Sequence, residues 1–214
     1  MDQTLKWFEE AKLVAVIRSS SSEDAEEMIK AALQGGFRIF EISMQTPQAI
    51  KLLENYSKKE NVLFGAGTVT DGEMAQRAIN AGAKFLASQY TDRDVINVAK
   101  NNDSFVIQGA LTPTEAFNAH QFGADLVQIY PAGVLGGPAY IKFLRGPMPF
   151  IKFAADGADI TPENLLDYLK HCLCVMLGNS LFDKPLVRSN KWSEIVDRAR
   201  HFTQKLEALK VTKS

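Results

Sequence analysis

The chain has 214 residues, with 24 Lys and Arg against 25 Asp and Glu, three His and two Cys. A formal net charge of −1 excludes a general electrostatic grip on nucleic acid, and no apolar run approaches the roughly 20 residues that a bilayer requires. An apolar share of 46% is that of an ordinary globular protein able to close a core.

The start MDQTLKWFEE is acidic and aromatic and lacks a signal-peptide core, so the expected compartment is the cytoplasm. No Pro/Ser-rich linker or low-complexity stretch interrupts the chain, which predicts one domain over 1–214. A helix over Leu5–Ala11 precedes the first strand, Leu13–Arg18. Further apolar or β-branched runs predict strands at Arg38–Ser43, Val62–Val69, Lys84–Gln89, Ser104–Ala110, Asp125–Pro131, Phe150–Ala155 and Cys172–Gly178. Helix starts lie between them. Thr46-Pro47, Thr112-Pro113 and Thr161-Pro162 place an N-cap threonine before a proline at the first helical position. Thr70 with Glu73, and Thr112 with Glu115, have capping-box spacing. Gly35-Gly36, Ala81-Gly82 and Phe122-Gly123 end helices ahead of the next strand.

Eight strand–helix units of about 25 residues predict an α/β protein with a parallel sheet, closed as a (β/α)8 TIM barrel with an N-terminal capping helix. The alternative, an open doubly wound sheet, usually shows a Gly-rich first turn, and SSSSED stands there instead. Cys172 and Cys174 share a face of the last strand and read as buried core thiols, since a zinc site needs further ligands nearby.

Barrel chemistry comes from the C-terminal ends of the strands and the loops after them. No histidine falls there. His120 lies late in a helix, His171 at the start of the last strand and His201 in the last helix. Histidine general-base catalysis, a His-based metal site and Ser-His-Asp or Cys-His arrangements are therefore not expected. Glu41 shares the parity of Ile39 and should point into the barrel, where desolvation would raise its pKa towards general-base range. The competing reading is a structural ion pair with Arg18 on the neighbouring strand. Arg18 could instead hold a substrate carboxylate.

Several motifs in order carry a family resemblance: VAVIR, GGFRIFEIS, GAGTVT, GALTPTEA, YPAGVLGGPAYIKFLRGP, ITPENL and LGNSLF. Together they resemble the 2-keto-3-deoxy-6-phosphogluconate / 4-hydroxy-2-oxoglutarate aldolase family, class I lyases on a (β/α)8 barrel that typically form trimers. The resemblance implies a lysine near the end of the sixth strand that forms a Schiff base with a 2-keto acid. It also implies a second-strand glutamate that shuttles protons, at Glu41, and a threonine near the substrate carboxylate, at Thr68. At the lysine position this chain has Gln128, in Gln128-Ile129-Tyr130-Pro131-Ala132. An amide nitrogen is delocalised and forms no imine. Lys142, in the helix after the sixth strand, and Lys152, near the start of the seventh, are poorly placed to replace it.

Other positions depart from the family as well. Gln89 and Gln108 stand where it often has proline, and Gln45 where many members have arginine. The family's seventh-strand Thr-Gly-Gly, whose N–H groups take the substrate phosphate, becomes Asp156-Gly157-Ala158-Asp159 with one extra residue. Two aspartates there would repel a phosphate, while Gly157, Gly178, Asn179 and Ser180 keep part of an anion-binding turn. With Tyr130, the glutamines at 45, 89, 108 and 128 suit a hydroxyl-rich or amide-bearing ligand at the mouth.

Three readings result. One is an aldolase-family lyase-like protein that takes a short 2-keto acid such as pyruvate, or a phosphorylated 2-keto-3-deoxy sugar acid. Its Schiff-base activity would be absent or very weak. In a variant of it, Glu41 and Asp156 hold a divalent metal ion that polarises the ketone; otherwise no cofactor is expected. The second is a non-catalytic ligand-binding member of the family. The third, a purely structural oligomer, leaves Glu41, Thr68 and GAGT without a reason. The expected partners are a small-molecule ligand and further copies of the chain, with no nucleic acid and no membrane.

Overall fold

Eight runs of four to six residues are apolar at almost every position, and strands of that kind must be covered on both faces. In the structure, a computed structural model describing residues 2–211, they are β1 (Leu13–Ile17), β2 (Ile39–Ser43), β3 (Leu63–Gly67), β4 (Phe85–Ser88), β5 (Phe105–Ala110), β6 (Leu126–Ile129), β7 (Phe153–Asp156) and β8 (Cys174–Leu177). Met1 and residues 212–214 of the expected 1–214 domain lie outside the described residues. The strands pair in parallel in chain order, and β8 closes on β1. The fold is a (β/α)8 TIM barrel.

Helices α1 (Asp2–Ala11), α2 (Ser22–Gln34), α3 (Ala49–Tyr56), α4 (Gly72–Asn80), α5 (Arg93–Asn101), α6 (Pro113–Phe122), α7 (Pro138–Arg145), α8 (Leu165–Leu169), α9 (Lys184–Arg188) and α10 (Trp192–Val211) complete it. A 3₁₀ turn, Ala132–Leu135, follows β6. Strand residues alternate between an interior cluster, with Val14, Val16, Ile39, Ile107, Leu126 and Met176, and a larger cluster under the helices. α1 closes the N-terminal end. Its Phe8 is fully buried, with its ring 5.2 Å from those of both Phe85 and Phe105.

The Thr112–Glu115 capping box forms as expected. The other two proline signals mark turns instead. α3 starts after Gln48, and buried Thr46 bonds the Ile17 carbonyl and the Ser19 N–H, tying the β2 loop to β1. α8 starts at Leu165, with Asn164 Oδ1 accepting from Thr161 N at 2.8 Å. α4 is capped by Asp71 rather than Thr70, whose hydroxyl donates to the Asp71 carboxylate. A carboxylate accepts a helix N–H more strongly than a hydroxyl does, which moves the start by one residue. Gly36, Gly82 and Gly123 take the positive φ expected after helices. β7 starts at Phe153, leaving Phe150 in the preceding loop. Cys172 precedes β8 and joins the helix-side cluster, whereas Cys174 faces the interior; burial pushes both thiols up.

Phe8→Ala should destabilise the protein by about 3–5 kcal/mol, because the plug cannot be refilled by rigid strands. Urea unfolding measures this, and a loss under about 1 kcal/mol would show that α1 is not part of the core.

Candidate functional site

Because all strands run in parallel, their C-terminal ends share one mouth. Interior parity brings three polar side chains into its upper layer: Glu41 above Ile39, Gln128 above Leu126 and Asp156 above Ala154. Glu41 is 1% exposed, and neither carboxyl oxygen has a hydrogen-bond partner. The space it uses exists because residue 67 is glycine: a Cβ there would lie 1.7 Å from Glu41 Oε1. Desolvation pushes Glu41 up to about 8; Asp156 adds repulsion and Arg18 partly opposes it. Asp156 is pushed up to about 7 by desolvation, again opposed by Arg18.

The competing Arg18–Glu41 ion pair does not form, since both Glu41 oxygens are unpartnered. Arg18 Nη2 instead donates to Thr68 Oγ1 at 2.9 Å, and Thr68 Oγ1 lies 3.1 Å from Ser43 Oγ. Thr68 holds a left-handed backbone, φ +55°, which aims its hydroxyl at this row. The result is a solvent-facing guanidinium at the rim, oriented by Thr68 and standing over two proton-hungry carboxyls.

Gln128 is fully buried. Its register partner on β5 is Gly109, and its amide reaches β4, where Nε2 donates to Ser88 O at 2.7 Å. Gln128 Oε1 has no partner. The other glutamines part company. Gln108, expected at the mouth, faces the helix layer: its Oε1 accepts from Asp92 N at 2.7 Å and its Nε2 donates to Ile107 O. Parity corrects the expectation, because Ile107 belongs to the interior cluster and its neighbour must point outward. Gln45 is exposed beyond β2, Gln89 is half-buried just past β4, and Tyr130 lies exposed just past β6.

On the far rim, the Asp159 carboxyl packs on Gly133 and Gly157, where a Cβ would come within 2.4 Å of it. The buried Tyr168 hydroxyl donates to that carboxylate, and Asn164 Nδ2 donates to Asp159 O at 2.9 Å. Nearby, Gly178 O accepts from the N–H groups of Leu181 and Phe182, and buried Ser180 Oγ has no partner. Asn179 is exposed. Sequence reasoning missed the roles of Ser43, Gly67, Ser88 and Tyr168; strand parity was the available signal for the first two.

None of the eight strands contains a lysine. Lys142 is exposed on α7, and Lys152 is exposed at the opposite end of the barrel, just before β7. His120, His171 and His201 lie on α6, in the turn before β8 and on α10. Among the described residues no three His, Cys, Asp or Glu side chains group as metal ligands. Glu41 and Asp156 are two carboxyls, and the charge of the Arg18 guanidinium acts on both.

The family model for KDPG and KHG aldolase matches residues 4–198. The chain belongs to that family. It is 29% identical over 189 residues to the 2-dehydro-3-deoxy-phosphogluconate aldolase of Pseudomonas aeruginosa, spanning 87% of this chain and 85% of the relative. It is 31% identical over 173 residues to the enzyme of the same designation in Treponema pallidum, spanning 80% and 82%. Among solved structures, a native KDPGal structure superposes with a TM-score of 0.82 at 27% identity, over 93% of this chain and 96% of that one. A KDPG aldolase from Legionella pneumophila, with pyruvate captured as a covalent carbinolamine, gives 0.77 at 26% identity, over 90% and 94%. The family aldolase barrel thus frames a mouth with Glu41 in it and no strand lysine.

Both acids bind protons more tightly in the folded state than in the unfolded chain, so stability falls as pH rises from about 4.5 to about 8. Glu41→Gln should flatten that slope and gain at least about 1 kcal/mol relative to the parent on going from pH 5 to pH 8. Chemical unfolding across this range is the measurement; parallel pH profiles would show that Glu41 is not held desolvated.

Proposed function

We propose that the mouth binds a small carboxylic acid of the 2-keto acid or sugar-acid type, and that ordinary Schiff-base aldolase activity is absent or very weak. The observation that carries this is Gln128: a buried amide, bonded to Ser88 O, in a barrel whose strands hold no lysine. A carbinolamine such as the Legionella relative holds needs an amine nucleophile, and Gln128 offers none. Arg18, oriented by Thr68, is the carboxylate partner. Glu41 is the proton-handling group, desolvated and unpartnered, so that a proton on or off it answers directly to a bound ligand. Gln89, Gln45 and Tyr130 line the approach, and Gly157, Gly178, Asn179 and Ser180 border the far end. A phosphorylated ligand is disfavoured, because Asp156 and Asp159 stand on that side.

A non-catalytic binder uses the same contacts. Turnover without borohydride trapping would favour a lyase, and binding without turnover the binder.

Self-association is part of the same proposal, and the chain is read as one domain. Val134, Leu135 and Phe150 are exposed on neighbouring segments around α7, and Phe143 on α7 itself is 76% exposed. Apolar groups so concentrated suit a protein–protein interface. One structural neighbour is a cage designed by fusing symmetric oligomeric domains, with a TM-score of 0.83 at 27% identity, over 95% of this chain and 75% of that one.

Borohydride treatment with pyruvate, read by intact-mass spectrometry, should give no adduct on the parent chain and a pyruvate adduct on Gln128→Lys. An adduct on the parent would overturn the reading and locate the reactive lysine. Sedimentation velocity should give a trimer for the parent, whereas Phe143→Glu should sediment as a smaller species; a monomeric parent would remove the self-association claim.

A further inference from the structure

The three orphaned atoms of the barrel interior, Glu41 Oε1, Glu41 Oε2 and Gln128 Oε1, share one property. All are oxygens that accept. The orientation of Gln128 is not arbitrary: Ser88 O is a carbonyl, so only the amide NH₂ can face it, and the amide oxygen is left towards the interior. A proton on Glu41 would convert one of its oxygens to a donor and still leave acceptors in the majority.

Buried acceptors need donors. The carbonyl and carboxylate of a 2-keto acid only accept, so a ketone oxygen placed against Gln128 Oε1 leaves both unsatisfied. A hydroxyl on the same carbon donates to it. At the far rim the chain's own carboxylate, Asp159, rests on Gly133 and Gly157 and is pinned there by Tyr168. A ligand that ends in an anion would meet like charge at that point; an uncharged hydroxymethyl end would not.

We infer that the ligand is an unphosphorylated polyhydroxy carboxylic acid, with a hydroxyl rather than a ketone beside its carboxylate. This rests on the reading that the mouth binds a small carboxylic acid at Arg18, and it specifies oxidation level and tail. Arg18 takes the carboxylate, Glu41 and Gln128 take the hydroxyls nearest to it, and Asp159 sets the uncharged end.

Isothermal titration calorimetry with matched acids tests it: lactate against pyruvate, gluconate and galactonate against 2-ketogluconate, and gluconate against 6-phosphogluconate. The hydroxy acid should bind at least about tenfold tighter than its keto partner, the scale of one unmet buried hydrogen bond. Gln128→Met, which removes the acceptor at similar size, should erase that preference. 6-Phosphogluconate should bind at least about tenfold more weakly than gluconate, and Asp159→Asn should narrow that gap while keeping the shape. Thermal melts establish that each variant is folded. Keto acids binding as tightly as hydroxy acids, or 6-phosphogluconate binding as tightly as gluconate, would overturn the inference and leave the carboxylic-acid site standing. If none of these acids binds the parent chain, the site reading fails and the inference with it.

Discussion

A closed eight-stranded barrel has no edge, so each strand residue has only two destinations, the interior or the layer under the helices. In this chain the strands are four to six residues long, and the interior therefore holds only a few layers. Phe8 and the lower apolar residues fill the N-terminal end. Polar groups are admitted only in the top layer. The character of the mouth descends from that restriction, because a carboxyl or amide placed there is buried and largely stripped of water.

Glu41 shows how far the desolvation is carried. Its neighbour Gly67 gives up a side chain to make room for it, and the nearest cation, Arg18, is engaged with Thr68 instead of pairing with it. A carboxyl without partners holds its proton to about 8. A structural ion pair would have done the reverse, holding the carboxyl ionised and fixing Arg18 away from the rim. The arrangement leaves the guanidinium facing solvent and the buried carboxyl without a partner.

Gln128 is placed by a backbone acceptor on a strand two places away. Its Nε2 donates to the Ser88 carbonyl at the end of β4, while the bare Gly109 next to it lets the Gln89 backbone pass close by. What remains facing the interior is an oxygen with nothing to bond. The position therefore carries no amine nucleophile and holds an acceptor oxygen without a partner. At the far rim Asp159 acts in the opposite way, covering two glycines with a charge and holding it in place through Tyr168.

Much of this was legible in the residues alone. Eight apolar runs separated by capped helices determined a (β/α)8 barrel, the parity of Ile39 sent Glu41 inward, and the motif order determined the family, because such patterns depend on local periodicity and chemistry. Helix starts at Thr46, Thr70 and Thr161 were misplaced, since a competing carboxylate, amide or long-range bond lies outside the local pattern. Gln108 was misplaced because its direction depends on strand register. Only the tertiary structure decided that Glu41 goes unpaired, that Gln128 turns its oxygen inward and that Asp159 seats on two glycines. Each of those outcomes joins strands and loops far apart in the chain, and no spacing within one segment encodes which atoms are left without a partner.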